Sequence, residues 1–122
     1  MKTILFVALG GALGSVARYL LSKWLQAAAA TAFPLATLAV NVAGCLLIGT
    51  FYGLSGRWGI GSDVKLLLTV GLCGGFTTFS TFANESLTLL RSGDIPAFAL
   101  YASLSTGLGI LAVWAGKTVA AG

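Results

Sequence analysis

The chain has 122 residues, 57% hydrophobic and 8% charged, with 7 Lys and Arg against 3 Asp and Glu, a net charge of +4 and a mean hydropathy of +0.97. Ordinary soluble domains carry roughly one-quarter charged residues, so this composition excludes a water-soluble globular surface and leaves no room for a separate soluble domain. Two cysteines and no histidine argue against a disulfide framework or a zinc site.

From the N-terminus, the first predicted span runs from Ile4 to Leu25, close to the ~20 residues that cross ~30 Å of hydrocarbon. Met1-Lys2, an apolar run and Gly14-Ser15-Val16-Ala17 have the layout of a secretory signal with a small-residue cleavage site. An uncleaved insertion signal is the expectation, since cleavage would discard the Gly10 and Gly14 pair. The second span, Leu35 to Leu54, follows Phe33-Pro34 and carries Asn41 as its lone amide, on one face with Thr37 and Cys45. A buried amide in lipid is either functional or a bond between helices. Cys45, and Cys73 in the next span, read as small apolar packers. Turn residues are predicted at Ser55-Gly56-Arg57 and Gly59-Ile60-Gly61-Ser62-Asp63.

The third span, Lys65 to Leu90, would be ~39 Å long as an unbroken helix, more than a ~30 Å core requires. A break is predicted at Gly74-Gly75, because glycine accepts unusual backbone angles and costs a helix about 1 kcal/mol relative to alanine. Irregular backbone at membrane depth is tolerated only where protein buries it or a wet cavity meets it. Such a break is a path, a binding site or a plain packing notch, and its unwound carbonyls can hold a cation. Beyond it Phe76, Phe79 and Phe82 recur at every third residue, interleaved with Thr77, Thr78, Ser80 and Thr81. Aromatic rings have a positive edge, so phenylalanines beside hydroxyl donors suit a small anion that has shed water; core packing or lipid contact is the other reading.

The fourth span, Ala97 to Gly116, follows the turn Arg91-Ser92-Gly93-Asp94-Ile95-Pro96 and sets Tyr101 and Ser105 on one face by i,i+4 spacing. Trp24, Trp58 and Trp114 fall near span ends, where amphipathic rings favour headgroups. Gly10 and Gly14, Gly49 and Gly53, and Gly71 and Gly75 are spaced for close helix contact, either within the chain or in a dimer. Four short helices enclose a pore poorly, so an oligomer is expected. An even number of spans puts Lys2, Arg57, Lys65 and Lys117 on one side and Arg18, Lys23 and Arg91 on the other. Because Lys and Arg asymmetry sets orientation, so small a bias predicts insertion both ways and pairing with an inverted copy. The net positive charge reads as headgroup anchoring rather than nucleic-acid binding.

The run Gly74-Gly75-Phe76-Thr77-Thr78-Phe79-Ser80-Thr81-Phe82 followed by Glu85, together with Asn41-Val42-Ala43-Gly44 and Gly10-Gly11-Ala12-Leu13-Gly14-Ser15-Val16-Ala17-Arg18-Tyr19, resembles the Fluc (CrcB-like) fluoride channels. The likeness covers all four spans. It implies an all-α membrane protein, one four-span domain over residues 1–122, assembled as a dual-topology antiparallel homodimer with two fluoride pores. By that likeness Phe79 and Phe82 contact the ion, Asn41 is the amide donor facing them, and Ser80, Thr81, Tyr101 and Ser105 form a polar track. A structural sodium ion at the dimer centre would rest on the carbonyls of Gly74 and Thr77. Arg18 matches the family's first-span arginine and is assigned, with Glu85, to vestibule charge or architecture. The implied function is passive, fluoride-selective export that protects the cell, in the plasma membrane, or the inner membrane of a Gram-negative cell. The implied partners are fluoride, sodium, a second copy and the bilayer.

The residue chemistry is compatible with that likeness. A pore selective for a small, strongly hydrated anion must replace its water with hydrogen-bond donors, which Asn, Ser, Thr and Tyr supply, yet let the ion leave. No phosphate loop or nucleophile and base pair suggests an enzyme. Two other classes remain: a small proton-coupled exporter, which wants a carboxylate in its first span and finds only Glu85 in the third, and a membrane assembly subunit whose polar residues merely join helices.

Overall fold

A computed structural model describes residues 2–28 and 33–122. Four helical spans in it are long and apolar enough to cross a membrane. They are α1 (Lys2–Ala28), α2 (Leu35–Trp58), a composite third span (Ser62–Arg91) and α6 (Ile95–Ala121). The third span is built from α3 (Ser62–Leu66), a π-helix (Leu67–Cys73), α4 (Gly74–Phe76) and α5 (Phe79–Arg91).

Every predicted span continues outward by a few residues. The expected turn at Ser55-Gly56-Arg57 is helix instead, and α2 stops only at Gly59, whose φ of 64° is left-handed and whose N–H reaches the Ser55 carbonyl at 3.1 Å. Glycine makes that cap without steric cost. At the start of α6, Asp94 accepts the Ala97 N–H at 3.2 Å, and Pro96 occupies the first turn, where no N–H is needed. Trp24, Trp58 and Trp114 are 66%, 67% and 65% exposed, as rings meeting headgroups would be.

Small residues set which helices touch. A Cβ on Gly10 or Gly14 would strike the carbonyls of Leu67 and Leu72, and one on Gly75 would lie 2.6 Å from the Gly11 carbonyl, so α1 lies directly on the π-helix and α4. On the other side of the bundle α2 packs on α6, where a Cβ on Gly53 would lie 2.7 Å from the Lys117 carbonyl. The three glycine pairs therefore serve contacts within the chain. A larger residue can relieve these clashes only by moving backbone. Gly14→Val is expected to lower folding stability by about 1–3 kcal/mol or more, read as a lower midpoint of thermal unfolding in detergent. Gly56→Ala, whose Cβ meets nothing within 4 Å, is expected to leave that midpoint unchanged or raise it, because alanine favours helix over glycine.

The core cluster of Leu38, Leu89 and Tyr101, with Phe82 and Phe98 against it, joins α2, α5 and α6. At one end of the bundle Asp63 ties α3 to α1, accepting from Thr3 at 3.3 Å and pairing with Lys2 at 4.0 Å.

The interruption of the third span lies at Thr77-Thr78, not at Gly74-Gly75. Gly74 has ordinary helical angles (φ −62°, ψ −38°), whereas Thr77 (φ −88°, ψ 157°) and Thr78 (φ −148°, ψ 112°) are extended. Gly75 uses its missing side chain for contact with α1 rather than for backbone freedom. Bonds from other elements take up the backbone groups that the unwinding frees.

Candidate functional site

Asn41, one turn above Thr37 on α2, meets the break. Its Oδ1 accepts the Thr78 N–H at 2.8 Å and its Nδ2 donates to the Thr78 carbonyl at 3.1 Å. The donor on Thr78 fixes which way the amide points, and the two bonds imitate a strand pairing across lipid depth, where an unpaired backbone group costs several kcal/mol. An amide has two N–H groups, so a second donor remains beyond this clamp. Arg18 secures the upstream side, donating from Nε to the Gly75 carbonyl at 3.2 Å. In an unbroken helix that carbonyl would accept from the N–H of Phe79. Counted in the sequence as a boundary charge, Arg18 is drawn inward against the break.

Downstream, Thr78 caps α5. Its hydroxyl accepts the Thr81 N–H at 3.2 Å and donates to the Thr81 hydroxyl at 2.9 Å. The first backbone N–H groups of a helix have no partners inside it and carry its positive dipole end, a setting that favours an anion. The upstream half-helix presents the opposite character, since the Thr77 carbonyl leaves the helical ladder as the backbone extends. A broken span thus offers donors on one side and carbonyls on the other.

A pocket of about 380 Å³ opens beside the break, with Asn41, Thr77, Thr78, Phe79, Phe82 and Ser105 in its wall. Phe79 is 79% exposed in this single protomer, and its ring lies 5.7 Å from Phe82. Phe82 in turn lies 5.0 Å from Tyr101. Phe76, the first member of the predicted stripe, is separated from the other two by the break and is buried against Gly44. Ser105 brings a hydroxyl oxygen that is buried and has no hydrogen-bond partner among the described residues. A lone buried hydroxyl on a pocket wall is a costly feature unless something uses it.

Of the other predicted track residues, Ser80, Thr81 and Tyr101 stand outside this pocket. Ser80 is exposed on the first turn of α5, and Thr81 is engaged by Thr78. Tyr101 is fully buried behind Phe82, and its hydroxyl donates to Glu85 Oε1 at 2.9 Å. Pairing of Glu85 with Tyr101 was not legible in the sequence; nor was the double bond from Asn41 to the Thr78 backbone. The one available signal was Thr78 itself, a hydroxyl three residues before Thr81 at the start of a helical run, which is the position of an N-cap.

Of the residues proposed for sodium, Thr77 carries its carbonyl at the unwound turn, whereas Gly74 keeps helical angles and its carbonyl loses only its usual partner, the Thr78 N–H, to Asn41. Gly74 is exposed, with only the Thr69 carbonyl, 3.9 Å away, near where a Cβ would stand. Neutral carbonyls at an unwound turn are the ligands that discontinuous membrane helices give to sodium.

The family described as CrcB-like protein, Camphor Resistance (CrcB) matches residues 5–117. The chain belongs to the CrcB-like family. Similar members carry the name fluoride-specific ion channel FluC. One, from Phocaeicola vulgatus, is 55% identical over 116 residues, covering 95% of this chain and 96% of the relative. Another, from Flavobacterium psychrophilum, is 50% identical over 121 residues, covering 98% of each. A third, from Bacteroides fragilis, is 49% identical over 119 residues, covering 95% of this chain and 94% of the relative. The CrcB-like match takes in all four spans, including the break and both phenylalanines of the pocket.

Proposed function

We propose that this chain is a fluoride-selective channel of the plasma membrane, passing fluoride down its electrochemical gradient and so protecting the cell from the ion. The observation that carries this reading is the pocket beside the break, which joins two phenylalanine rings, an amide and an unpartnered hydroxyl at the donor end of a half-helix. These groups are neutral donors and positive ring edges, able to replace water around a small anion without trapping it. Phe79 and Phe82 contact the ion, with Asn41 and Ser105 beside them; Ser80 and Thr81 extend the track beyond the pocket, and Tyr101, its hydroxyl donating to Glu85, backs the Phe82 ring instead of meeting the ion. Full-length similarity to relatives named as fluoride-specific channels supports the choice of ion.

The working unit is an antiparallel homodimer of oppositely inserted copies, with a sodium ion held between them on the Gly74 and Thr77 carbonyls. The exposed Phe79 supports this, because a ring at the pocket mouth otherwise faces lipid instead of a path. The small difference in Lys and Arg between the two sides supports it too, whether or not Arg18 is counted. C-terminal reporters are expected on both sides of the membrane. Two lysines added to the loop between α1 and α2 should drive one orientation, with activity restored by an oppositely biased copy; uniform orientation of the unmodified chain would overturn dual topology.

Purified protein in liposomes tests the channel directly. Fluoride efflux should follow the membrane potential, with chloride flux negligible. Glu85→Gln separates a channel from a proton-coupled exporter. An exporter needs a carboxylate that exchanges protons, whereas the Gln carbonyl can still accept from Tyr101, as Glu85 does at 2.9 Å. Voltage-driven fluoride efflux is expected to persist within about tenfold of wild type, a change of less than ~1.4 kcal/mol in barrier. Dependence of wild-type flux on a proton gradient, with its loss in folded Glu85→Gln, would replace the channel reading with the exporter.

A further inference from the structure

We infer that Cys45 and Cys73 form a two-thiol site for a soft cation in the wall of the break pocket, and that a cation bound there blocks the path. The two thiols come from different elements, α2 and the π-helix, and both line the pocket. Both are free. Thr77 packs its methyl into the notch at Gly44 and holds the π-helix through the Cys73 carbonyl at 2.9 Å, which sets the two cysteine-bearing segments side by side, and the Cys45 Sγ lies 3.4 Å from where a Cβ on Gly109 would stand. Cys73 is only 2% exposed, so its sulfur is reached through the pocket or not at all.

The donor set selects the ligand. Two hydroxyls of the wall are committed, Thr69 to the Lys65 carbonyl at 2.7 Å and Thr77 to that of Cys73, and the unpartnered hydroxyl of Ser105 is a hard donor that suits a soft cation poorly. No cluster of three or more His, Cys, Asp or Glu stands among the described residues. Zinc, which wants four such ligands, is poorly served. Two sulfurs suit a soft cation content with two ligands, such as mercury(II) or copper(I). In binding mercuric chloride, two S–H bonds give up their protons and two Hg–Cl bonds break as two Hg–S bonds form, two protons and two chlorides leave, and nothing is oxidised or reduced. The bound ion places positive charge and bulk beside the Thr77-Thr78 break.

The blocking step rests on the proposed pore, so binding and flux are measured separately. Full-length protein in liposomes is titrated with mercuric chloride, a neutral species able to enter an apolar pocket, and challenged with a monothiol competitor. Intact mass is expected to show one mercury retained per chain. In Cys45→Ala and in Cys73→Ala retention against the competitor should weaken about a hundredfold or more, since the second sulfur acts at high effective concentration. Fluoride efflux, scaled to each protein's own mercury-free rate, should fall at equimolar mercury in wild type and resist it in both variants. Mercury held equally by wild type and either single variant, or one mercury on each thiol, would overturn the two-thiol site. Retention as expected with undiminished flux would uphold the site, remove the block and place the pocket off the ion path, overturning the pore reading.

Discussion

Asn41→Asp is expected to abolish measurable fluoride efflux. The amide is held against the Thr78 backbone at 2.8 and 3.1 Å, and the substitution replaces Nδ2, a donor, with an oxygen that faces the Thr78 carbonyl. One bond of the clamp becomes a repulsion, and an unsatisfied buried carbonyl costs about 1–3 kcal/mol. On the proposed path, a fixed carboxylate would also stand in the wall past which the anion moves. Two unit charges of the same sign 4 Å apart repel by about 4 kcal/mol at an effective dielectric near 20, which is about three orders of magnitude in rate. Both effects act in the same direction. Efflux is measured alongside thermal unfolding, so that folded protein without flux is distinguished from a lost fold. Near-normal efflux in a folded variant would remove Asn41 from the path.

Phe79→Ile and Phe82→Ile are each expected to cut fluoride efflux by about tenfold or more, since isoleucine keeps apolar bulk but lacks the positive ring edge. Their effects on stability should diverge. Phe79 is 79% exposed in the protomer, and its nearest ring is Phe82 at 5.7 Å. Phe82 touches the core cluster and stacks 5.0 Å from the fully buried Tyr101. Loss of such an aromatic pair costs about 0.5–1.5 kcal/mol beyond area, so only Phe82→Ile should clearly lower the unfolding midpoint of the protomer. Equal destabilisation with intact flux in both would reassign the rings to packing. The difference between the two variants therefore separates contact with the ion from support of the helix that presents it.

The spans were legible because the bilayer imposes a length and a polarity that composition must obey. Ile4, Leu35, Lys65 and Ala97 all fall inside the helices that begin at Lys2, Leu35, Ser62 and Ile95, and most ends lie a few residues further out, as at Gly59, where a left-handed cap stops α2. The pocket rings were legible as an aromatic stripe interleaved with hydroxyls, and Asn41 and Ser105 as polar groups inside apolar spans. The place of the break was not. Glycines announced it at Gly74-Gly75, yet a helical glycine packed on a neighbour and a flexible one look identical in sequence, and the distinction depends on α1 lying against Gly75. Local preference only hints at the break, through Thr78 as the N-cap of the following helix. What holds the span open there is a set of bonds over separations of 37 and 57 residues, Asn41 to the Thr78 backbone and Arg18 to the Gly75 carbonyl. Sequence by itself determined that this is a four-span membrane chain with a polar interruption in its third span. Only the tertiary structure decided where the backbone opens and which groups meet there, because in lipid a broken helix survives only where distant side chains satisfy the groups it frees.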